Sequence, residues 1–203
     1  MIEQVDGGKN AVKLVILGGS GAGKGTQARG ISQHLDIPCI STGDVLREAI
    51  ATRTELGLKA QPYVEEGEFV PDEMMIEFIR QRLLKPDVRQ GWLLDGYPRT
   101  AFQAEELDFL LEDLQQHLDW AIYLNVPEAV LASRTIQRLR SDDKPLIIRR
   151  RIELFQERTI PILEYYSLRH RLLDINGDQS SEQVQQEILS QLSGSPTRPA
   201  PNR

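Results

Sequence analysis

The chain has 203 residues, of which 40% are hydrophobic and 27% are charged, and its formal net charge is −6. This is the composition of an ordinary globular domain, and the acidic balance argues against a general binder of nucleic acids or membrane surfaces, which needs a broad basic face. The single cysteine, Cys39, excludes an internal disulfide and a zinc site built on several cysteines.

Five short apolar segments recur along the chain and predict β-strands. They read KLVILGG (13–19), PCIST (38–42), GWLLDGY (91–97), WAIYLNV (120–126) and HRLLDING (170–177). Their hydrophobicity is nearly continuous rather than alternating, which is typical of strands that are buried on both faces. Helix-patterned segments lie between them, so we predict a parallel sheet with helices on both sides.

Two of the segments between the strands carry the apolar spacing of a helix face, residues 72–84 and residues 145–168. Pro161 should kink the second helix or mark its last straight part. Two other segments break the alternation of strand and helix. Residues 41–71 are predicted to be a helical insertion without a strand of its own, and residues 141–145 form a polar break between helices.

The first residues of the chain do not have the pattern of a targeting segment. The first ten residues are acidic rather than signal-like, and no apolar run approaches the ~20 residues of a membrane span. We therefore expect a cytoplasmic protein, with monomer as the default state. Residues 13–193 are predicted to form the domain, and residues 1–12 to be an extension before it. Residues 194–203 are rich in Pro, Gly and Ser and are predicted to be a disordered tail.

The first predicted strand runs directly into the glycine-rich sequence GGSGAGKGTQA, residues 18–28. Glycines let the backbone turn several N–H groups toward one anion, and the helix that follows adds the positive end of its dipole. Lys24 can lie along the phosphates of a nucleotide. Strand, spacing, lysine and helix together indicate a phosphate-binding P-loop. A Ser or Thr commonly follows the lysine as a magnesium ligand, but here Gly25 follows it and Thr26 comes one residue later.

Four separated motifs, GKGT (23–26), STGD (41–44), LLDGYPRT (93–100) and Gln103, occur in this order. Together they closely resemble the adenylate kinases, which are nucleoside monophosphate kinases, from about Lys13 to about Leu192. The resemblance implies a three-layer α/β P-loop fold with a five-stranded parallel sheet, a monophosphate-binding insertion at about 41–71 and a short lid at about 139–147. It also implies transfer of the terminal phosphoryl group of MgATP to AMP, giving two ADP, with these nucleotides as the partners and no nucleic acid or membrane.

By resemblance, ATP binds the P-loop and arginines that follow the fourth strand. The expected ATP-binding residues are Gly21, Ala22, Gly23, Lys24, Gly25, Thr26, Arg134, Arg138 and Gln179. The expected AMP-binding residues are Thr42, Gly43, Arg47, Glu68, Phe69, Val70, Gly96, Tyr97, Pro98, Arg99, Gln103, Arg140 and Arg151. Among them Gln103 is the main reason to expect AMP, because a carboxamide can match both the donor and the acceptor on the edge of adenine.

Catalysis is expected from fixed cations rather than from a base, because the attacking phosphate of AMP is already an anion. The expected catalytic cations are Lys24, Arg99, Arg138, Arg140 and Arg151. Asp142 and Asp143 would orient the lid arginines by bidentate pairing. Asp95, at the carboxyl end of a predicted strand, is expected to hold Mg²⁺ through water.

The predicted lid departs from the family pattern because only Leu139 separates Arg138 from Arg140, where short-lid adenylate kinases place several residues. A long zinc-binding lid is excluded by this length and by the single cysteine, so no zinc is expected. Asp143 is expected to cap the helix that begins at Pro145. A smaller lid should exclude water less well, so we expect some hydrolysis of ATP in the absence of AMP.

Three alternatives stay open at this point. A kinase for UMP or CMP would fit the same fold, although such kinases usually have Ala and Asn where this chain has Thr42 and Thr100. A nucleotide-binding module with weak catalysis would fit the reduced lid. A P-loop ATPase coupled to motion or to a partner would usually have Ser or Thr directly after Lys24.

Overall fold

Five parallel strands form one sheet in the order β2–β3–β1–β4–β5, in a computed structural model that describes residues 11–137 and 144–194. The strands are β1 (Val12–Leu17), β2 (Cys39–Ser41), β3 (Gly91–Asp95), β4 (Trp120–Asn125) and β5 (Leu172–Asn176). In the central strand, Leu14 is in register with Leu93 on one side and with Trp120 on the other. The predicted five-stranded parallel sheet is confirmed.

Helices fill the segments between the strands. They are α1 (Lys24–Leu35), α2 (Thr42–Ala51), α3 (Glu55–Glu66), α4 (Asp72–Leu83), α5 (Ala101–Asp113), α6 (Glu128–Gln137), α7 (Pro145–Leu154), α8 (Ile160–Leu168) and α9 (Ser181–Gly194). A short 3₁₀ turn at Pro86–Val88 precedes β3. Among the residues described, no helix is both long enough and apolar enough to cross a membrane.

Two hydrophobic clusters cover the two faces of the sheet. On one face Val15 and Leu17 of β1 pack in a cluster with residues of α4, α5 and α8. On the other face Leu14 and Ile16 pack in a cluster with residues of α1, α6 and α9. Since successive residues of β1 are buried on opposite faces, its sequence is apolar without interruption. This arrangement confirms the predicted three layers.

The segment predicted to be a helical insertion holds α2 and α3, which pack closely on each other. Ser41 and Thr54 cap the two helices, their side chains accepting hydrogen bonds from the N–H groups of Asp44 and Gly57 at 3.3 and 3.1 Å. A Cβ at Gly57 would lie 2.0 Å from the carbonyl oxygen of Ala49, so the contact between the helices requires glycine. The boundaries of this insertion as a separate domain stay a prediction.

Residues 145–168 are helical throughout, as predicted, with a π-helical turn inside the helix. α7 begins at Pro145, the five-residue π-helical turn spans Phe155–Thr159, and α8 follows with Pro161 in its first turn. Pro161 has no N–H to donate back along the helix, which is consistent with the π-helical turn just before it. Lys144 occupies the N-cap position of α7, and Asp143, the expected cap, lies outside the described residues.

Candidate active site

The P-loop wraps around the amino end of α1. Its glycines take left-handed backbone angles, with φ of 88° at Gly21 and 91° at Gly23. A Cβ at Gly21 would lie 2.4 Å from the carbonyl oxygen of Leu131 on α6, so the turn can approach that helix only without a side chain. The ammonium group of Lys24 donates to the carbonyl oxygens of Gly18 and Gly19 at 2.7 and 2.9 Å, which places it over the loop.

A cavity of about 490 Å³ lies between the P-loop, the carboxyl ends of the strands and the insertion. This is a normal volume for a small-molecule site, and the position is where open parallel sheets bind ligands. Among the residues that the structure describes, six basic side chains line it, against the three carboxylates of Asp44, Glu68 and Asp95. The six are Lys24, Arg29, Arg47, Arg99, Arg134 and Arg151. The cavity therefore concentrates positive charge in a chain whose net charge is −6.

Arg99 is held from several sides. Its Nε donates to the carbonyl oxygen of Gly96 at 2.8 Å, and its guanidinium carbon lies 5.2 Å from the centre of the Phe69 ring. Burial lowers the pKa of Arg99, Asp95 acts in the opposite direction, and the positive charges of Arg151 and Arg47 lower it further. Three arginines from separate elements therefore act electrostatically on one another, and a bound anion would relieve their repulsion.

The other cavity arginines stand on different elements. Arg47 of α2 donates to the carboxylate of Asp44, one turn earlier. Arg134 of α6 donates to the carbonyl oxygen of Gly177 at 2.9 Å and lies 3.4 Å from the carboxylate of Asp178, in the loop after β5. Arg151 lies on α7 and reaches the cavity from the opposite side.

Two neighbouring arginines on α7, Arg149 and Arg150, do not line the cavity. Arg150 makes a bidentate ion pair with Glu68, with Nε 2.5 Å and Nη2 3.2 Å from the two carboxylate oxygens. Arg149 is 81% exposed and pairs with Glu153 at 3.0 Å. Gly67, which ends α3 with a φ of 77°, would place a Cβ 3.0 Å from Ile147. The loop after α3 is thus attached to α7 by an ion pair and by a close backbone contact.

Five apolar side chains in the cavity lining come from the insertion, the loop after it and α4, and we call this part of the cavity the apolar pocket: Leu46, Val64, Phe69, Val70 and Met75. Gln103 also lines the cavity and is only 1% exposed. This combination of apolar walls and one carboxamide suits a heterocyclic base.

The residues around Asp95 fit a magnesium ion. A Cβ at Gly25 would lie 3.5 Å from Oδ2 of Asp95, so the glycine leaves space beside the carboxylate. Thr26 also lines the cavity, and a carboxylate and a hydroxyl are the oxygen donors that Mg²⁺ prefers together with nucleotide phosphates. Within residues 11–137 and 144–194 no group of three His, Cys, Asp or Glu side chains could hold a metal ion by itself.

Of the predicted site residues that the structure describes, four do not line the cavity: Ala22, Thr42, Tyr97 and Gln179. Thr42 is fully buried and its hydroxyl donates to the carbonyl oxygen of Asp95 at 3.2 Å. The hydroxyl of Tyr97 donates to the carbonyl oxygen of Gln103 at 3.2 Å, and burial raises its pKa. Gln179 donates to Asn176 and Glu187. Their roles as ligands stay predictions.

Four predicted residues, Arg138, Arg140, Asp142 and Asp143, lie outside the described residues, as does most of the predicted lid. The structure also adds a residue that sequence reasoning missed. Arg29 of α1 lines the cavity, and its place four residues after Gly25, on the same face of the helix, was the available signal.

A parallel sheet with a P-loop at its carboxyl edge, next to converging arginines and an apolar pocket, defines a nucleotide-dependent phosphotransferase of the P-loop class. The adenylate kinase family model matches residues 16–171. "Adenylate kinase 2" of Nostoc sp. is 64% identical over 181 residues, which cover 89% of this chain and 98% of the relative. "Adenylate kinase 2" of Synechocystis sp. is 56% identical over 181 residues, covering 89% and 100% of the two chains. The chain belongs to the adenylate kinase family.

The reaction of this family is phosphoryl transfer between ATP and AMP, and the predicted family, enzyme class and reaction are confirmed. A more distant relative, "Adenylate kinase" of Methanocella arvoryzae, is 38% identical over 212 aligned residues, covering 89% of this chain and 98% of the relative. The alternative of a UMP or CMP kinase is not favoured by these relatives.

Proposed function

We propose that the cavity holds MgATP and AMP head to head, and that the phosphoryl group passes in line between them without a covalent enzyme intermediate. The observation that carries this proposal is the convergence of Lys24, Arg99 and Arg151 on one cavity from three separate elements. The phosphates of ATP and of AMP are all negatively charged and repel each other, so fixed cations between the two nucleotides are the main requirement for catalysis.

ATP binds on the P-loop side. Lys24 exchanges its hydrogen bonds to the loop carbonyls for the phosphate oxygens, and the N–H groups at the start of α1 contribute as well. Arg134, oriented by the loop after β5, lies against the base and phosphates of ATP. The hydroxyl of Thr26 and the carboxylate of Asp95, which both line the cavity, would hold a magnesium ion, Asp95 through water. The ion would supply positive charge that offsets the negative charge of the phosphates.

AMP binds on the insertion side. Arg47, Arg99 and Arg151 hold its phosphate, and its base enters the apolar pocket beside Gln103. The phosphate of AMP is the nucleophile and is already an anion at neutral pH, so the site needs no general base. Positioning and positive charge then supply the rate enhancement.

The lid arginines complete the proposal. Arg138 and Arg140 act on the transferring phosphoryl group, and Asp142 and Asp143 orient them. These four residues lie outside the described part of the chain. The cytoplasmic location and the monomeric state also stay predictions.

The test compares Arg99→Ala and Arg151→Ala with a matched control, Arg149→Ala, which removes an exposed arginine from the same helix as Arg151. We expect kcat for ADP formation to fall at least ~100-fold in the first two variants, as for the loss of a transition-state donor elsewhere. The control should stay within about twofold of the starting enzyme. Near-normal turnover in either test variant, with the fold checked by circular dichroism, would contradict the assignment.

A further inference from the structure

The carboxamide of Gln103 is held at both of its polar ends by the protein itself. Its Oε1 accepts a hydrogen bond from the backbone N–H of Arg99 at 2.8 Å, and its Nε2 donates to Oδ1 of Asp72 at 2.7 Å. Asp72 stands in the first turn of α4, and the Gln103 side chain reaches it from the first turn of α5. Thr100 caps α5 and its hydroxyl lies 3.3 Å from the other oxygen of Asp72.

The chemistry of these two partners permits one orientation of the amide. A backbone N–H can only donate, and an ionised carboxylate can only accept. If the amide of Gln103 turned over, its NH₂ would face the N–H of Arg99 and its oxygen would face the carboxylate of Asp72. Both contacts would become repulsive in a side chain that is 1% exposed, where water cannot replace the lost partners.

The fixed orientation matters because a carboxamide that turns freely cannot distinguish two kinds of purine. Adenine presents an amino donor at its six-position and an acceptor at N1, whereas a 6-oxopurine presents an acceptor and a donor at the same two places. A freely turning amide would match either edge. After its two contacts with the protein, Gln103 keeps one N–H and one acceptor position for a base.

The apolar side chains that line this part of the cavity cannot make this choice. The apolar pocket is lined by Leu46, Val64, Phe69, Val70 and Met75, whose side chains form no hydrogen bonds with a base. Asp72 itself does not line the cavity, so it acts on a ligand only through Gln103.

We propose that Asp72 is a positioning residue for acceptor specificity, which sets the orientation of the Gln103 carboxamide and thereby selects a 6-aminopurine over a 6-oxopurine monophosphate. The inference rests on the proposed role of Gln103 at the base of the acceptor. It assigns a function to a carboxylate that lies 31 residues from Gln103 in the sequence.

The test replaces Asp72 by Asn, which keeps the shape of the side chain but can donate as well as accept. In Asp72→Asn the turned amide meets one repulsive contact instead of two. The acceptors are AMP and inosine 5′-monophosphate, with MgATP as the donor. The two acceptors have donor and acceptor exchanged at the six-position and N1 of the purine. We expect the ratio of kcat/KM for AMP to that for inosine monophosphate to fall roughly tenfold, mainly through KM, with kcat for AMP changed by less than about threefold.

Glu73→Gln is the matched control, because it removes the same charge from the first turn of the same helix at an exposed position. Its ratio should equal that of the starting enzyme. Both acceptors meet the same preparation, so a partial loss of folded enzyme cancels from the ratio. Asp72→Ser provides a second variant should Asp72→Asn fail to fold, and the same fall in the ratio is expected.

Gln103→Ala distinguishes the positioning role of Asp72 from the base-binding role of Gln103. If the ratio falls in Gln103→Ala but keeps its starting value in Asp72→Asn and Asp72→Ser, the positioning role of Asp72 is overturned while the role of Gln103 stands. If Gln103→Ala leaves the ratio unchanged, the proposed role of Gln103 is wrong, and the inference about Asp72 falls with it.

Discussion

The ion pair between Arg150 and Glu68 should control the affinity for AMP without affecting ATP. Glu68 belongs to the loop after α3, whose next two residues line the apolar pocket, and Arg150 precedes Arg151 on α7. Removing either side chain deletes one of the two contacts that attach this loop to α7. The expected result of Arg150→Ala or Glu68→Ala is a higher KM for AMP, with kcat and the KM for ATP little changed.

The size of the effect follows from exposure and geometry. The two side chains are 37% and 34% exposed, so solvent screens the pair and its contribution is that of a surface pair, ~0.3–1 kcal/mol. The bidentate contact favours the upper end of that range. The KM for AMP should therefore rise about two- to fivefold, since ~1.4 kcal/mol corresponds to a factor of ten.

The assay is a double-mutant cycle on initial rates of ADP formation, with AMP and ATP varied separately. Because the two residues act through one contact, the double variant should be no worse than either single variant. The charge-exchanged pair Glu68→Arg with Arg150→Glu should recover part of the affinity, and the effect should shrink in high salt. Arg149→Ala serves as the control. Independent, additive effects of Arg150→Ala and Glu68→Ala, or an equal rise of the KM for ATP, would refute this reasoning.

Three further predictions concern stability, reactivity and the lid. Gly57→Ala should lower the free energy of unfolding by about 1–3 kcal/mol, because its Cβ would lie 2.0 Å from the carbonyl oxygen of Ala49. Gly194→Ala is the control, because its Cβ would meet nothing within 4 Å. Equal thermal midpoints of the two variants would contradict the packing argument. Burial raises the pKa of Cys39, and the charge of Asp95 adds to this effect. Alkylation of Cys39 at pH 8 should therefore be slower in the folded protein than in the unfolded chain, and its rate should rise only above the ordinary pKa range of a thiol. A rate profile whose midpoint lies at or below that range would contradict this prediction. The single residue between Arg138 and Arg140 predicts measurable hydrolysis of ATP without AMP, and a rate indistinguishable from zero would count against it.

The sheet was predictable because its strands are apolar on both faces. Each of the five predicted segments contains or overlaps a strand, and the boundaries differ by only a few residues. Cys39 shows the limit of that argument. It lies in an apolar segment, but β2 has only three residues and stands at the edge of the sheet, so the side chain is half-buried.

The P-loop and four of the cavity arginines, Arg47, Arg99, Arg134 and Arg151, were predictable from motifs, whereas the protein partners of those side chains were not. Glu68 and Arg150 are 82 residues apart, and no local periodicity connects them. The same holds for Asp72 and Gln103, which meet only because α4 and α5 start close together. Contacts between distant segments depend on how the layers pack, so they appear only with the fold.

The most direct test of the account is a comparison of acceptors with MgATP as the donor. Initial rates of diphosphate formation should be measured for AMP, GMP, CMP and UMP at equal concentrations. The rate with AMP should exceed the rates with the other three acceptors by a wide margin, because the Gln103 amide and the apolar pocket beside it suit adenine. An equal or faster rate with UMP or CMP would contradict it.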